Sequence, residues 1–175
     1  MNSQLRQGVN SQKPKLFSER CLQTMDKKIY KEIKIPASLS DIWNAFTTVE
    51  GIKTFFAPDG KIELGLFGCY EIYFYSPENK GKRGSEGCVV LSFISERMLS
   101  FTWSAPPEFP NVRKERTWVV LEFENSGGDA VLVRLTHLGW KEGKEWDEVF
   151  TYFDKAWDIV LTRLKKRFEE GPTRF

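Results

Sequence analysis

Between Glu145 and Glu170 the apolar residues Val149, Phe153, Ala156, Trp157, Val160, Leu164 and Phe168 recur at three- or four-residue intervals. That spacing puts them on one stripe of a long amphipathic helix. The stripe is bulky, so it needs a broad apolar surface to cover. The chain supplies one upstream. Leu99, Phe101 and Trp103 alternate with other residues, and so do Val119, Leu121 and Phe123, which is the period of a half-buried strand. A large helix laid across an aromatic sheet either packs it solid or leaves a pocket, and what such a chain does turns on that choice.

The elements before this helix follow from the same reading. Ile29 to Ile35 alternates as a strand, and Pro36 ends it. Ser38-x-x-Asp41 has the form of a capping box, with Asp41 in place of the usual Glu. Ile42, Ala45, Phe46 and Val49 then share a helical face. Glu50-Gly51 breaks the run, a second short helix is expected over Ile52 to Phe56, and Ala57-Pro58-Asp59-Gly60 forms a turn. From Lys61 the period becomes two, giving strands over 61–64, 68–75, 85–95, 98–104, 115–124 and 130–137. Turn chemistry at 65–68, 76–84 and Ser126-Gly127-Gly128-Asp129 separates them, as does the stiff Pro106-Pro107-Glu108-Phe109-Pro110 loop. The short separators favour antiparallel neighbours, and Gly171-Pro172 stops the last helix. Strands bracketed by helices indicate an α+β domain over 27–170, with a disordered polar extension over 1–26 and a short C-terminal tail over 171–175.

Charge and composition exclude several classes of function. Of the overall charge of +2, residues 1–25 carry +3 and the remainder is near neutral, without the basic footprint of a nucleic-acid binder. The basic extension is poor in acids. It admits a transit role, or an upstream start at Met1 ahead of a native one at Met25. An odd set of three cysteines, Cys21, Cys69 and Cys88, with no CxxC pair, fits a reducing, cytoplasmic setting. No apolar run reaches the ~18 residues of a membrane span. A single histidine without Cys–His spacing excludes a zinc site. A phosphate-cradling glycine loop and a GxSxG elbow are both missing from the sequence.

The order of elements resembles the START-like (SRPBCC) helix-grip fold, and within it the family named for activators of the heat-shock-protein-ninety ATPase. Ile35-Pro36-Ala37 followed by Asp41-Ile42-Trp43-Asn44-Ala45-Phe46 is similar to that family's opening. Glu50-Gly51-Ile52-Lys53-Thr54-Phe55-Phe56 is similar to its second motif. Gly68-Cys69-Tyr70-Glu71, Leu99-Ser100-Phe101-Thr102-Trp103 and Leu135-Thr136-His137-Leu138-Gly139-Trp140, with Trp157 following on a helix, complete the likeness. It covers residues 27 to 170. The resemblance implies a curved antiparallel sheet of about six to seven strands gripping the long C-terminal helix. It also implies relatives that range over lipid carriers, cyclases and chaperone regulators. In the eukaryotic co-chaperones this domain is joined to a separate chaperone-binding domain, for which 175 residues leave no room.

The expected function is therefore non-catalytic binding of a hydrophobic or aromatic small molecule between sheet and helix. The expected lining is Phe55, Phe56, Tyr70, Phe74, Phe93, Phe101, Trp103, Phe123, Leu135, Phe153 and Trp157. Strand parity puts Tyr70 with Ile72 and Phe74, so its hydroxyl is the pocket's polar candidate, while Glu71 is expected in solvent and Arg134 outward. A co-chaperone-like protein contact and a polyketide cyclase-like enzyme are the alternatives. No cofactor, metal or nucleic acid is expected, and a homodimer stays open. His137 could serve as an acid or base, being the one side chain that titrates near neutrality. Its simpler role is a strand-end histidine bonded to backbone. The acids Glu142, Glu145, Asp147 and Glu148 suit a helix start better than a metal. The basic stretches Lys80-Gly81-Lys82-Arg83 and Arg113-Lys114-Glu115-Arg116 are read as solvated loops.

Overall fold

The computed structural model describes residues 27–175, so the expectations for residues 1–26, and Cys21 with them, lie outside the described residues. The chain runs β1 (Ile29–Ile35), α1 (Leu39–Thr47), α2 (Val49–Ile52), β2 (Asp59–Ile62), β3 (Tyr70–Tyr73), β4 (Val90–Ile94) and β5 (Met98–Trp103). A 3₁₀ turn (Val112–Lys114), β6 (Thr117–Asn125), β7 (Val131–Leu138) and α3 (Lys144–Glu170) follow. Five antiparallel strands form one sheet in the order β1-β7-β6-β5-β4, and β2 pairs with β3 in a separate ribbon. Isolated bridges Cys69–Val89 and Tyr73–Gly84 join that ribbon to the segment entering β4. The curved antiparallel sheet thus has five strands, where six to seven were expected, because β2 and β3 pair in a ribbon of their own; α3 lies across the sheet's concave side, an α+β helix-grip fold. The approach at Gly84 is close enough that a Cβ there would lie 1.9 Å from the Ile72 carbonyl oxygen, so only glycine fits.

Local chemistry accounts for the boundaries. The Ser38 hydroxyl accepts from the Asp41 N–H at 3.1 Å and donates to the Asp41 carboxylate at 2.7 Å, which is the expected capping box. The second short helix begins earlier than the expected Ile52–Phe56. The Thr48 hydroxyl caps it by accepting from Gly51 N–H at 2.9 Å, so Glu50-Gly51 lies inside the helix rather than breaking it. Strand β4 is shorter than the expected 85–95, because residues 84–89 bond to β3 instead and the register shifts between Val90 and Ser92.

On β6, Val119, Leu121 and Phe123 are buried while Trp118 and Glu122 face solvent. The buried stripe of α3 is Val149, Phe153, Trp157, Val160, Leu161 and Leu164; Ala156 and Phe168 are only partly covered. Lys31 of β1 meets Asp154 and Asp158 of α3 at 2.9 Å each, which fixes the helix against the sheet edge. Among the described residues no helix is long and apolar enough to cross a membrane.

Candidate ligand cavity

Two layers divide the concave face of the sheet. Over one end, α1 and α2 fill the space with rings. Phe46 packs on Phe55 at 5.2 Å and on Phe123 at 5.7 Å, and Trp43 meets Phe93 and Phe123 at 6.2 and 6.1 Å. Tyr70 stacks on Phe101 at 4.1 Å, and its hydroxyl donates to the Phe46 carbonyl at 2.9 Å. That bond satisfies the phenol, and complete burial holds it protonated by raising its pKa. Over the other end, α3 stands off from the sheet and leaves a cavity of about 330 Å³.

The cavity lies between α3, the end of β5, the Pro106-Pro107 loop and the Phe74-Tyr75 and Gly84-Ser85 segments. Trp103 and Trp157 meet at 5.4 Å, with Phe56 stacked 5.8 Å from Trp103, and these rings form its inner wall. Phe74, Tyr75, Tyr152 and Ile159 also line it and are themselves exposed, so the cavity opens to solvent between them. Ala156 makes the room: it sits in the lining between Phe153 and Val160, where a larger residue would occupy the space.

Five of the eleven expected residues line this cavity: Phe56, Phe74, Trp103, Phe153 and Trp157. The other six do not. Phe55, Tyr70, Phe101 and Phe123 belong to the aromatic packing beneath α1 and α2, and Leu135 is fully buried on β7. Phe93 pairs with Leu99 but sits at the hairpin end, half-exposed against Trp43. Alternation marks all of these as inward-facing and is blind to which helix covers them.

His137 is fully buried behind the cavity wall. It is bonded to side chains, not to backbone as expected: its Nδ1 accepts from the Trp157 indole N–H at 3.0 Å, and its Nε2 lies 2.8 Å from the Thr117 hydroxyl. Since Nδ1 is an acceptor, Nε2 carries the proton and donates to Thr117, whose hydroxyl donates on to the Trp103 carbonyl at 3.2 Å. Trp140 N–H donates to the His137 carbonyl at 2.9 Å. Desolvation lowers the imidazole pKa to about 3, so it is neutral at physiological pH. It does not line the cavity; the ionisable side chains that do are Tyr75, Tyr152 and Arg163.

The basic loops are not simply solvated. Arg113 donates to the carbonyls of Ala105, Gly84 (2.9 Å) and Gly81 (3.0 Å) and pairs with Glu86 at 3.2 Å, joining both loops at the cavity mouth. Glu86 also accepts from Gly81 and Arg83 N–H at 2.7 and 2.9 Å. Both partners are mostly buried, so Arg113→Met is expected to cost about 2–3 kcal/mol by leaving Glu86 and the carbonyls underbonded. Urea denaturation measures this, and a loss below about 0.5 kcal/mol contradicts the role. Glu145 likewise acts as a tie and not as a dipole partner alone. Its carboxylate accepts from Asn111 Nδ2 at 2.8 Å and from the Asn111 and Val112 N–H groups, and those bonds lower its pKa. Arg134 pairs outward with Glu124 at 2.6 Å, as expected. Among the described residues, His, Cys, Asp and Glu form no group of three or more that could hold a metal.

The profile of the family described as Activator of Hsp90 ATPase homolog 1-like protein matches residues 36–169. Among solved structures, the Aha1 dimer of Colwellia psychrerythraea is 25% identical, with a TM-score of 0.62 over 83% of this chain and 98% of that one. A protein of Mesorhizobium loti is 15% identical, with a TM-score of 0.65 over 84% of this chain and 100% of that one. DynU16, a protein in the dynemicin biosynthetic locus, is 17% identical, with a TM-score of 0.62 over 85% of this chain and 49% of that one. No curated protein matches the chain.

Proposed function

The chain belongs to the Activator of Hsp90 ATPase homolog 1-like family, and we propose that it binds a hydrophobic, aromatic small molecule between sheet and α3 without converting it chemically. One observation carries this reading: the open, ring-lined cavity of about 330 Å³ where α3 crosses the sheet. Its size lies at the lower end of small-molecule sites, and so does its mostly apolar wall with few polar groups. A molecule burying ~300 Å² of apolar surface gains ~7 kcal/mol before association costs, which makes micromolar affinity the upper limit unless polar groups add to it. Catalysis draws less support, because a general acid or base works best with a pKa near neutrality and His137 lies outside the lining.

The neutral fluorophore N-phenyl-1-naphthylamine tests the reading. The wild-type protein is expected to enhance and blue-shift its emission with a micromolar Kd, and Ala156→Phe to weaken this at least tenfold while the protein stays folded. A wild-type protein that leaves the fluorophore unchanged ends the proposal.

A second reading, a protein contact of co-chaperone type or a homodimer, is favoured by Leu64, Leu66 and Phe67. These three apolar side chains stand exposed between β2 and β3. It is in keeping with the neighbour from Colwellia psychrerythraea being an Aha1 dimer. Sedimentation of the wild type beside Leu66→Asp separates monomer from assembly.

A further inference from the structure

The rim of the cavity is strongly apolar for a surface in water. Phe74, Tyr75, Tyr152 and Ile159 line the cavity and are each between 41% and 53% exposed, so four large apolar side chains stand in solvent around one opening. Charge around that opening is one-sided. On α3 the flank carrying Tyr152, Ala156 and Ile159 also holds Lys155, Arg163 and Lys166 at helical spacing, all three exposed. The acids of this part of the helix, Asp154 and Asp158, lie on the other flank, where Lys31 meets them at 2.9 Å each. Facing α3, Arg113 bonds the carbonyls of Gly81, Gly84 and Ala105, which holds the exposed Lys80 and Lys82 beside the Pro106-Pro107 loop. Among the described residues none of these five cations is in an ion pair, whereas Lys144 and Lys165 of α3 each meet a glutamate. Glu78 and Glu108 are the acids of the two loops.

We infer that this rim docks on an anionic lipid surface, the four exposed side chains entering the headgroup boundary and the cations meeting lipid phosphates. This rests on the binding reading above and adds where the ligand comes from. Aromatic side chains, tyrosine above all, suit the boundary because a ring can sit among acyl chains while its hydroxyl stays wet. Exposed apolar side chains alone would suit a protein partner equally well. Two observations favour lipid. Five unpaired cations against two acids match an anionic surface. The apolar side chains also surround the entrance to an apolar cavity, so a molecule dissolved in the bilayer passes into the protein without crossing water. The contact is with the membrane surface alone and inserts no helix.

Flotation with vesicles tests the inference. The wild-type protein is expected to float with mixed phosphatidylcholine–phosphatidylglycerol vesicles, to float far less with phosphatidylcholine alone, and to come off as salt rises. Ile159→Asp should abolish the binding. Lys155→Gln and Lys166→Gln together should weaken it by about fivefold for each cation removed. These two lysines lie outside the cavity lining and are exposed, so the pair keeps the test decisive if Ile159→Asp does not fold. Leu66→Asp alters an apolar group elsewhere and should float as the wild type does. A wild-type protein that floats with neither vesicle overturns the inference. So does binding that Leu66→Asp removes and Ile159→Asp spares, or a dimer in sedimentation that Ile159→Asp dissociates, since a second copy would then cover the rim. Fluorophore binding measured without vesicles is independent of all three results. If it persists where flotation fails, the cavity reading stands without the membrane, and if the fluorophore never binds, the cavity reading itself is removed.

Discussion

Acidification to about pH 4.5 is expected to destabilise this protein through one residue. His137 is the sole histidine, so the window between pH 6.5 and about 4.5 holds no other side chain of ordinary pKa. In the unfolded chain its imidazole takes a proton near pH 6.5. In the fold it resists one until about pH 3, because burial disfavours the cation and both ring nitrogens already have partners. Between those values the unfolded state binds more protons, so stability rises with pH. The contribution is complete above pH 6.5, shrinks by about 1.4 kcal/mol per unit as pH falls, and is gone near pH 3. The whole loss is roughly 4–5 kcal/mol, a large part of the ~5–15 kcal/mol that holds a domain together. Urea denaturation at pH 7, 6 and 5 measures it, with His137→Gln as the control. Gln can still accept from Trp157 and donate to Thr117 but does not titrate. Its stability should be nearly flat over that range. A variant with the wild-type slope would falsify the assignment to His137.

The sequence makes the frame of this molecule legible and its cavity only half so. Helix α3, the strand alternation on β5 and β6, and the Ser38–Asp41 cap follow from periodicity and local bonding, each decided within a few residues of chain. Phe93, Phe123 and Trp103 show where that stops. All three occupy inward positions, yet Trp43 and Phe46 cover the first two while α3 leaves a gap beside the third. Which helix roofs which part of the sheet depends on packing between segments 50 or more residues apart, and strand parity does not carry that information. Tyr152, Ala156, Ile159 and Arg163 were readable in principle. They recur at helical spacing on the flank of the α3 stripe, where an amphipathic helix passes from core to rim. Arg113 was not, since its acceptors are backbone carbonyls of two other loops.

His137 and the cavity are also one construction. Trp157 lines the cavity with its ring and bonds His137 through its N–H. Thr117, bonded to the other side of His137, donates to the backbone of Trp103, the opposing wall. The two indoles that face each other at 5.4 Å are thus held from behind by a single imidazole. Neutral His137 suits this task because it accepts on one side and donates on the other. A hydrophobic residue of equal volume would hold neither wall by a directed bond.

That arrangement makes Trp157 a costly ring to remove. Trp157→Ala deletes contacts with Phe56, Trp103, Phe153 and His137 and leaves the His137 Nδ1 acceptor bare. Large-to-small replacement of a buried tryptophan costs about 3–5 kcal/mol. At this chain length that lowers Tm by roughly 6–20 °C. Because the residue already borders open space, part of the cost has another origin than a new void, and Trp157→Phe bears on it. Phenylalanine keeps an aromatic face but loses the N–H together with the rest of the five-membered ring, so about 1–2 kcal/mol is expected from the unpaired Nδ1, with a packing loss added to it. Thermal and urea unfolding of the two variants measure both figures. The phenylalanine variant should retain N-phenyl-1-naphthylamine binding, since the wall stays aromatic. A loss below about 1 kcal/mol for Trp157→Ala would mean that α3 is not anchored to the sheet through this ring, and the wall that defines the cavity would have to be redrawn.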